Sequence, residues 1–122
     1  FSVNVPSIDL VELVDYCGIY HGFKVDKSEI FKVFYGKLNT APMIEKCPIN
    51  IECKLFKTVD LYDCELIIGE IVETYSEEKY LTNKSCSFEK IQPFIFQMPD
   101  GPYWKIGEKL AEAWSVGKDF KP

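Results

Sequence analysis

The sequence predicts a mainly β domain with flanking helices, an α+β chain built on an antiparallel sheet or barrel. Three observations carry that expectation. Residues 49–55 alternate apolar and polar side chains, the period of a strand with two unlike faces. A second β-branched and aliphatic run, "CELIIGEIVETY", follows across the short link at Tyr62-Asp63, so the two strands predict an antiparallel hairpin. Aromatic residues make up 15% of the chain, a share that favours sheet structure or a planar ligand.

The elements follow in order. "FSVNVPS" opens as an alternating strand. A strand this apolar needs neighbours, so Phe1 reads as the middle of a domain, with an N-terminal portion expected ahead of it. Ser7 then stands as an N-cap before Asp9 and Glu12, and Leu10, Leu13, Val14 and Cys17 repeat at helical spacing. Gly18 is placed to end that helix in the left-handed conformation. A second helix is expected from Asp26, where "DKSE" reads as a capping box and Ile30, Val33 and Phe34 form a stripe closed by Gly36. Leu38 to Pro48 is connective.

In the first strand of the hairpin Ile49, Ile51, Cys53 and Leu55 point one way and Asn50, Glu52 and Lys54 the other. In the second, Gly69 marks a bulge or a close approach. Polar "SEEKYLTNKSCS" is a surface excursion, Ser87 caps a short helix through Ile91, "PFIF" is a short strand, and "MPDGP" is a turn. A last helix is predicted with Ile106, Leu110, Ala113 and Trp114 on one face and Gly117 at its end.

At 122 residues, 47% hydrophobic and 27% charged, the chain has the size and composition of one globular domain, residues 1–122. Nineteen acidic residues stand against 14 basic ones, a net charge of −5, and no basic run offsets it, which argues against a nucleic-acid partner. No apolar stretch reaches membrane-spanning length. Five cysteines without a C-x-x-C pair, beside a single histidine, argue against zinc and for free thiols in a reducing cytoplasm. A G-x-S-x-G elbow, a G-x-G-x-x-G turn and a Walker lysine motif are all missing from the sequence.

What remains is the junction "YCGIYHGFKVDK", which gathers Gly18, the only histidine His21, Gly22 and Lys27. Lys27 falls in the first turn of the expected second helix, where a cation is locally unfavourable and where backbone N–H groups already attract anions. Two readings stand at this point: a solvated turn, or a loop that binds something anionic.

"FSVNVPS" and "DYCGIYHGFKVDK", followed in order by "APMIEKCPINIECKL", "LIIGEIVE", "FEKIQPFIF" and "YWKIGEKLAEAWSVGK", resemble the flavoredoxin branch of the flavin reductase-like family, the FMN-binding split barrels. The resemblance runs over essentially the whole chain. It implies a split β-barrel of antiparallel Greek-key type, a homodimer, and non-covalent FMN, with NAD(P)H as the electron donor if the chain is a flavin reductase. It also implies that part of the barrel, including an FMN phosphate loop, precedes the "VN" strand.

Carried over by position, the resemblance assigns cofactor binding to Lys27, as the cation at the N1/C2 edge of the flavin. Phe96 becomes an aromatic near the isoalloxazine ring, and Tyr103 and Trp104 an aromatic pair near the flavin or the dimer interface. Asn4 is placed near the site. His21, Gly22 and Cys64 are carried over as cofactor-binding positions too, although there the chain departs from the family pattern: His21-Gly22 replaces Ser-Gly, Cys64 replaces a flavin-side histidine, and Ser28 replaces the aromatic that often follows Asp-Lys. Three activities follow from this: an NAD(P)H-dependent flavin reductase, a flavoredoxin-like carrier exchanging electrons with a protein or small molecule, or a dimer-forming fragment that binds no flavin.

Overall fold

The computed structural model describes residues 1–121. Its frame is the predicted hairpin: β4, Ile49–Asp60, pairs antiparallel with β5, Glu65–Tyr75, and β1, Ser2–Val5, lies along the other edge of β4. The strand order is β1-β4-β5. Gly69 is the close approach that the sequence marks. A Cβ there would come within 2.9 Å of Phe1 Cε1 and 3.2 Å of Cys53 Cβ, so only glycine lets the first ring lie over the hairpin.

The alternation of β4 holds, yet at its start the covered face is the polar one. Cross-strand partners share a face, and Ser2↔Glu52 and Asn4↔Asn50 are partners. Above them lies connective backbone, residues 36–47, whose N–H and C=O groups need partners once covered. The side chains beneath supply these. Ser2 Oγ donates to the Pro42 carbonyl at 2.5 Å, and the Ile44 N–H donates to Asn4 Oδ1 at 3.0 Å and Asn50 Oδ1 at 3.2 Å. Asn50 Nδ2 in turn donates to the Cys47 carbonyl at 3.0 Å.

Glu52 is fully buried and accepts the N–H groups of Lys37 at 3.0 Å and Leu38 at 2.8 Å, and the Tyr75 hydroxyl at 3.3 Å. The opposite face, with Val3, Leu55, Ile67 and Ile71, stays open; Leu55 is 57% and Ile71 62% exposed. Among the described residues the buried apolar ones are Ala41, Met43, Cys47, Pro48, Cys53, Ile91 and Pro93.

Of the three long helices expected, one forms. A 3₁₀ turn at Ile8–Leu10 leads into α1, Val11–Ile19. Ser7 holds it through its carbonyl, which accepts the Leu10 N–H at 3.0 Å, and its side chain makes no cap bond. Gly18 is not a left-handed cap: it lies in the last helical turn, and Tyr20 ends the helix in extended conformation.

No helix starts at Asp26. Its carboxylate accepts the Ser28 N–H at 2.8 Å in a local turn, an alternative that competes with the helix. Val33 and Phe34, β-branched and aromatic, form β2 against β3, Met43–Ile44. The predicted helix over 106–117 is absent as well, replaced by irregular chain and turns. Leu110 and Trp114 face water. A stripe with nothing to pack against loses the main source of helix stability.

The expected short helix, "PFIF" strand and turn form in order, joined by short strands that the sequence did not announce. A small hairpin, β6 (Leu81–Thr82) with β7 (Ser85–Cys86), precedes α2, Phe88–Ile91, which Ser87 begins. Strand β8, Phe94–Phe96, pairs with β9, Tyr103–Lys105, across the predicted turn. Gly101 takes φ +82° and donates its N–H to the Gln97 carbonyl at 3.0 Å, a conformation that favours glycine. All five cysteines are free.

Candidate functional site

The loop from Tyr20 to Lys27 and the β8–β9 hairpin meet the same helix, α1. Lys27 is half-buried, and its Nζ donates to the Cys17 carbonyl at 2.7 Å. The lysine therefore sits at the C-terminal end of α1, where a cation is favoured by the helix dipole and by unpaired carbonyls. That removes the conflict raised by placing it at a helix start. One of its three N–H groups is used in this bond, leaving two for an anion.

From the other side Tyr103 Oη donates to Asp15 Oδ1 at 3.1 Å. Its ring packs edge-on against Phe94 at 5.5 Å and tilted against Phe96 at 5.2 Å. Phe96 and Tyr103 are cross-strand partners, and Phe96 is 51% exposed. Desolvation, with the Asp15 hydrogen bond and charge behind it, raises the Tyr103 phenol above its ordinary range, so it stays a neutral donor. The result is an apolar ring platform and a cation, each bonded to α1.

The other expected site residues make no side-chain hydrogen bond to this pairing among the described residues. His21 and Gly22 share the Lys27 loop and are exposed. The His21 carbonyl accepts the Lys24 and Val25 N–H groups at 2.9 and 3.2 Å, while its imidazole has no hydrogen bond among the described residues. Trp104 alternates away from Tyr103 on β9 and donates its indole N–H to Gln97 Oε1 at 2.8 Å. Asn4 is occupied in holding Ile44, as above. Cys64 lies at the tip of the β4–β5 hairpin, exposed, its backbone paired with Leu61.

A cavity of about 1020 Å³ is lined by residues including Ile8, Phe88, Gln92, Lys105 and Lys109. None of the expected site residues lines it. Its two lysines are matched by Glu89 and Glu108, so it offers volume without a net charge. Burial pushes the Cys47 thiol up, away from nucleophilic thiolate. Among the described residues no cluster of ligating side chains could hold a metal, and no helix is long and apolar enough to cross a membrane.

Sequence reasoning missed Asp15, Asn50 and Glu52. Asp15 lies off the apolar stripe of α1, as any solvated residue would, and Asn50 and Glu52 carry the pattern of an outer face. No local signal distinguishes them.

The sequence profile described as the flavin reductase like domain matches residues 1–91. The chain belongs to that family. Among solved structures it is similar to a flavoredoxin from Methanosarcina acetivorans, with 44% identity and a TM-score of 0.93 over 96% of this chain and 63% of that one. It is also similar to the flavoredoxin of Desulfovibrio vulgaris (Miyazaki F), with 33% identity and a TM-score of 0.86 over 97% and 64% of the two chains. An FMN-binding protein from Thermus thermophilus shares the fold, with 24% identity and a TM-score of 0.74 over 92% and 61%. The flavoredoxin-type chain thus spans less than two thirds of each of these structures, and its antiparallel strands with few helices are those of the split barrels.

Proposed function

We propose that this flavoredoxin-type domain binds FMN non-covalently and takes part in flavin-dependent electron transfer, as an NAD(P)H-dependent flavin reductase. One observation carries the reading. The Lys27 ammonium and the Phe96–Tyr103 ring pair are bonded to α1 two residues apart, at the Cys17 carbonyl and the Asp15 carboxylate. A cation with spare donors and a half-exposed aromatic face, both tied to one helix, suit a planar, anionic ligand, so these residues fit the group. FMN, when bound, supplies the redox chemistry. Lys27 would hold negative charge on it, and Phe96 would cover apolar ring surface.

The 44% identity to a flavoredoxin favours a second reading, a carrier that takes electrons from a protein or small-molecule donor and uses no nicotinamide. The open apolar face of Val3, Leu55, Ile67 and Ile71 supports a homodimer, and five free cysteines support a reducing cytoplasm.

The test is incubation with FMN, gel filtration and an absorption spectrum of the protein peak. Co-eluting flavin supports the reading, and a colourless protein overturns it in favour of a fragment without flavin. Bleaching of the bound flavin by NADH or NADPH under anaerobic conditions then selects the reductase, and failure to bleach selects the carrier. Lys27→Ala is expected to weaken FMN binding about tenfold, the worth of roughly one charge-assisted hydrogen bond, as measured by fluorescence quenching.

A further inference from the structure

We propose that Asp15 is a positioning residue of the flavin site, fixing the Phe96–Tyr103 ring pair against the part of α1 that holds Lys27. The inference rests on the flavin reading above and adds to it a residue that touches neither cofactor nor substrate. The Asp15–Tyr103 bond joins positions 88 apart in sequence. The side-chain bonds made within β8–β9 and its turn, Trp104 to Gln97 and Gln97 to Asp100, stay inside that hairpin. Without the Asp15 bond, no side-chain hydrogen bond among the described residues fixes the ring pair to α1.

The bond also has a fixed direction. An ionised carboxylate only accepts, so Tyr103 must donate. A phenol held above its ordinary range remains able to do so. The Tyr103 ring touches both Phe94 and Phe96, so a shift of its hydroxyl end is passed to the exposed Phe96 face. Lys27 is fixed on α1 by the Cys17 carbonyl. Asp15 therefore sets the placement of the rings relative to the cation, which neither local segment can set alone.

Three variants of the full chain test this. Asp15→Ala removes the acceptor, Tyr103→Phe removes the donor, and Asp15→Asn keeps an acceptor oxygen in place. The measurements are FMN affinity by fluorescence quenching, the visible circular dichroism of bound flavin, and aromatic ring resonances of the flavin-free chain by NMR.

Asp15→Ala and Tyr103→Phe should each weaken FMN about tenfold and alter the visible dichroism. The double variant should be no worse than either single one, because one interaction is being removed twice. Asp15→Asn should stay within about threefold of the parent. In the flavin-free chain, Asp15→Ala should shift the Phe96 and Tyr103 ring resonances together. Unchanged affinity and dichroism in Asp15→Ala, or additive losses in the double variant, would overturn the proposal. A parent chain that takes up no FMN overturns the flavin reading and the role given to Asp15 with it. The ring resonances still report, in that case, whether the tether exists.

Discussion

The two ends of the β4–β5 hairpin are built from similar strand sequence and treated in opposite ways by the fold. At its base, Asn50 and Glu52 are buried under connective backbone and every polar group there has a partner. At its tip, Leu55, Phe56, Leu61, Leu66, Ile67 and Ile68 are all exposed. Burial along this hairpin is decided by what lies above it, and hydrophobicity does not decide it. Loop backbone demands acceptors and donors beneath it, so polar side chains go inside where a loop is the lid. Apolar ones remain outside where none of the described elements reaches.

That contrast is sharpest at Glu52. Replacing it by alanine leaves the Leu38 N–H without its acceptor and the Lys37 N–H with only its 3.2 Å bond to the Tyr75 hydroxyl, with an expected cost of about 3 kcal/mol by urea denaturation. A loss under 1 kcal/mol would show that water replaces the carboxylate and that the base is no more closed than the tip. Gly36→Ala is the next largest. Its Cβ would fall 2.8 Å from Glu52 Oε2 and 2.7 Å from Tyr75 Cζ. Both groups are held, the carboxylate by its three donors and the tyrosine by an edge-on contact with Phe34 at 5.9 Å. An overpacking cost of about 2 kcal/mol is expected, with thermal melting as the check.

The tip should behave differently. Leu55→Ser and Ile67→Ser are expected to change the stability of the isolated chain by no more than about 0.5 kcal/mol. Larger effects that depend on protein concentration in sedimentation would mean that this face is covered by another copy.

The smallest effect belongs to the exposed pair at the edge of the base, Lys37 Nζ and Glu73 Oε2, 2.5 Å apart. The Lys37 hydrogen bond and the Thr74 N–H hold the Glu73 carboxyl below its ordinary 4.5, and the Glu73 hydrogen bond and charge hold Lys37 above 10.5. A depressed carboxylate stabilises the fold above pH 4.5 and loses that contribution as pH falls further. A raised lysine stabilises below pH 10.5 and loses its contribution as pH rises. Stability should therefore be flat between those limits for this pair, with shallow losses outside them that Glu73→Gln abolishes. Carbon NMR of the Glu73 carboxyl checks it directly; titration at the ordinary value would remove the pair from the account.

By itself the sequence determined the elements whose cause is local. The opening strand, the two long strands and their short link, the Ser87 start of a short helix and the turn before Gly101 all follow from side-chain period and backbone preference. These act within a few residues and need no partner to be read. The ordered family resemblance also pointed correctly to the split barrel.

Only the tertiary structure decided the rest. It turned Val33 and Phe34 from a helical stripe into a strand, because β3 was available to pair with them, and left 106–117 non-helical, because Leu110 and Trp114 found nothing to cover them. It moved Lys27 from the start of an expected helix to the end of the previous one, bonded to Cys17. It also put Glu52 inside and tied Asp15 to Tyr103. Each of these depends on groups brought from elsewhere in the chain. A hydrogen bond across 88 residues leaves no period, cap or spacing in the sequence on either side of it.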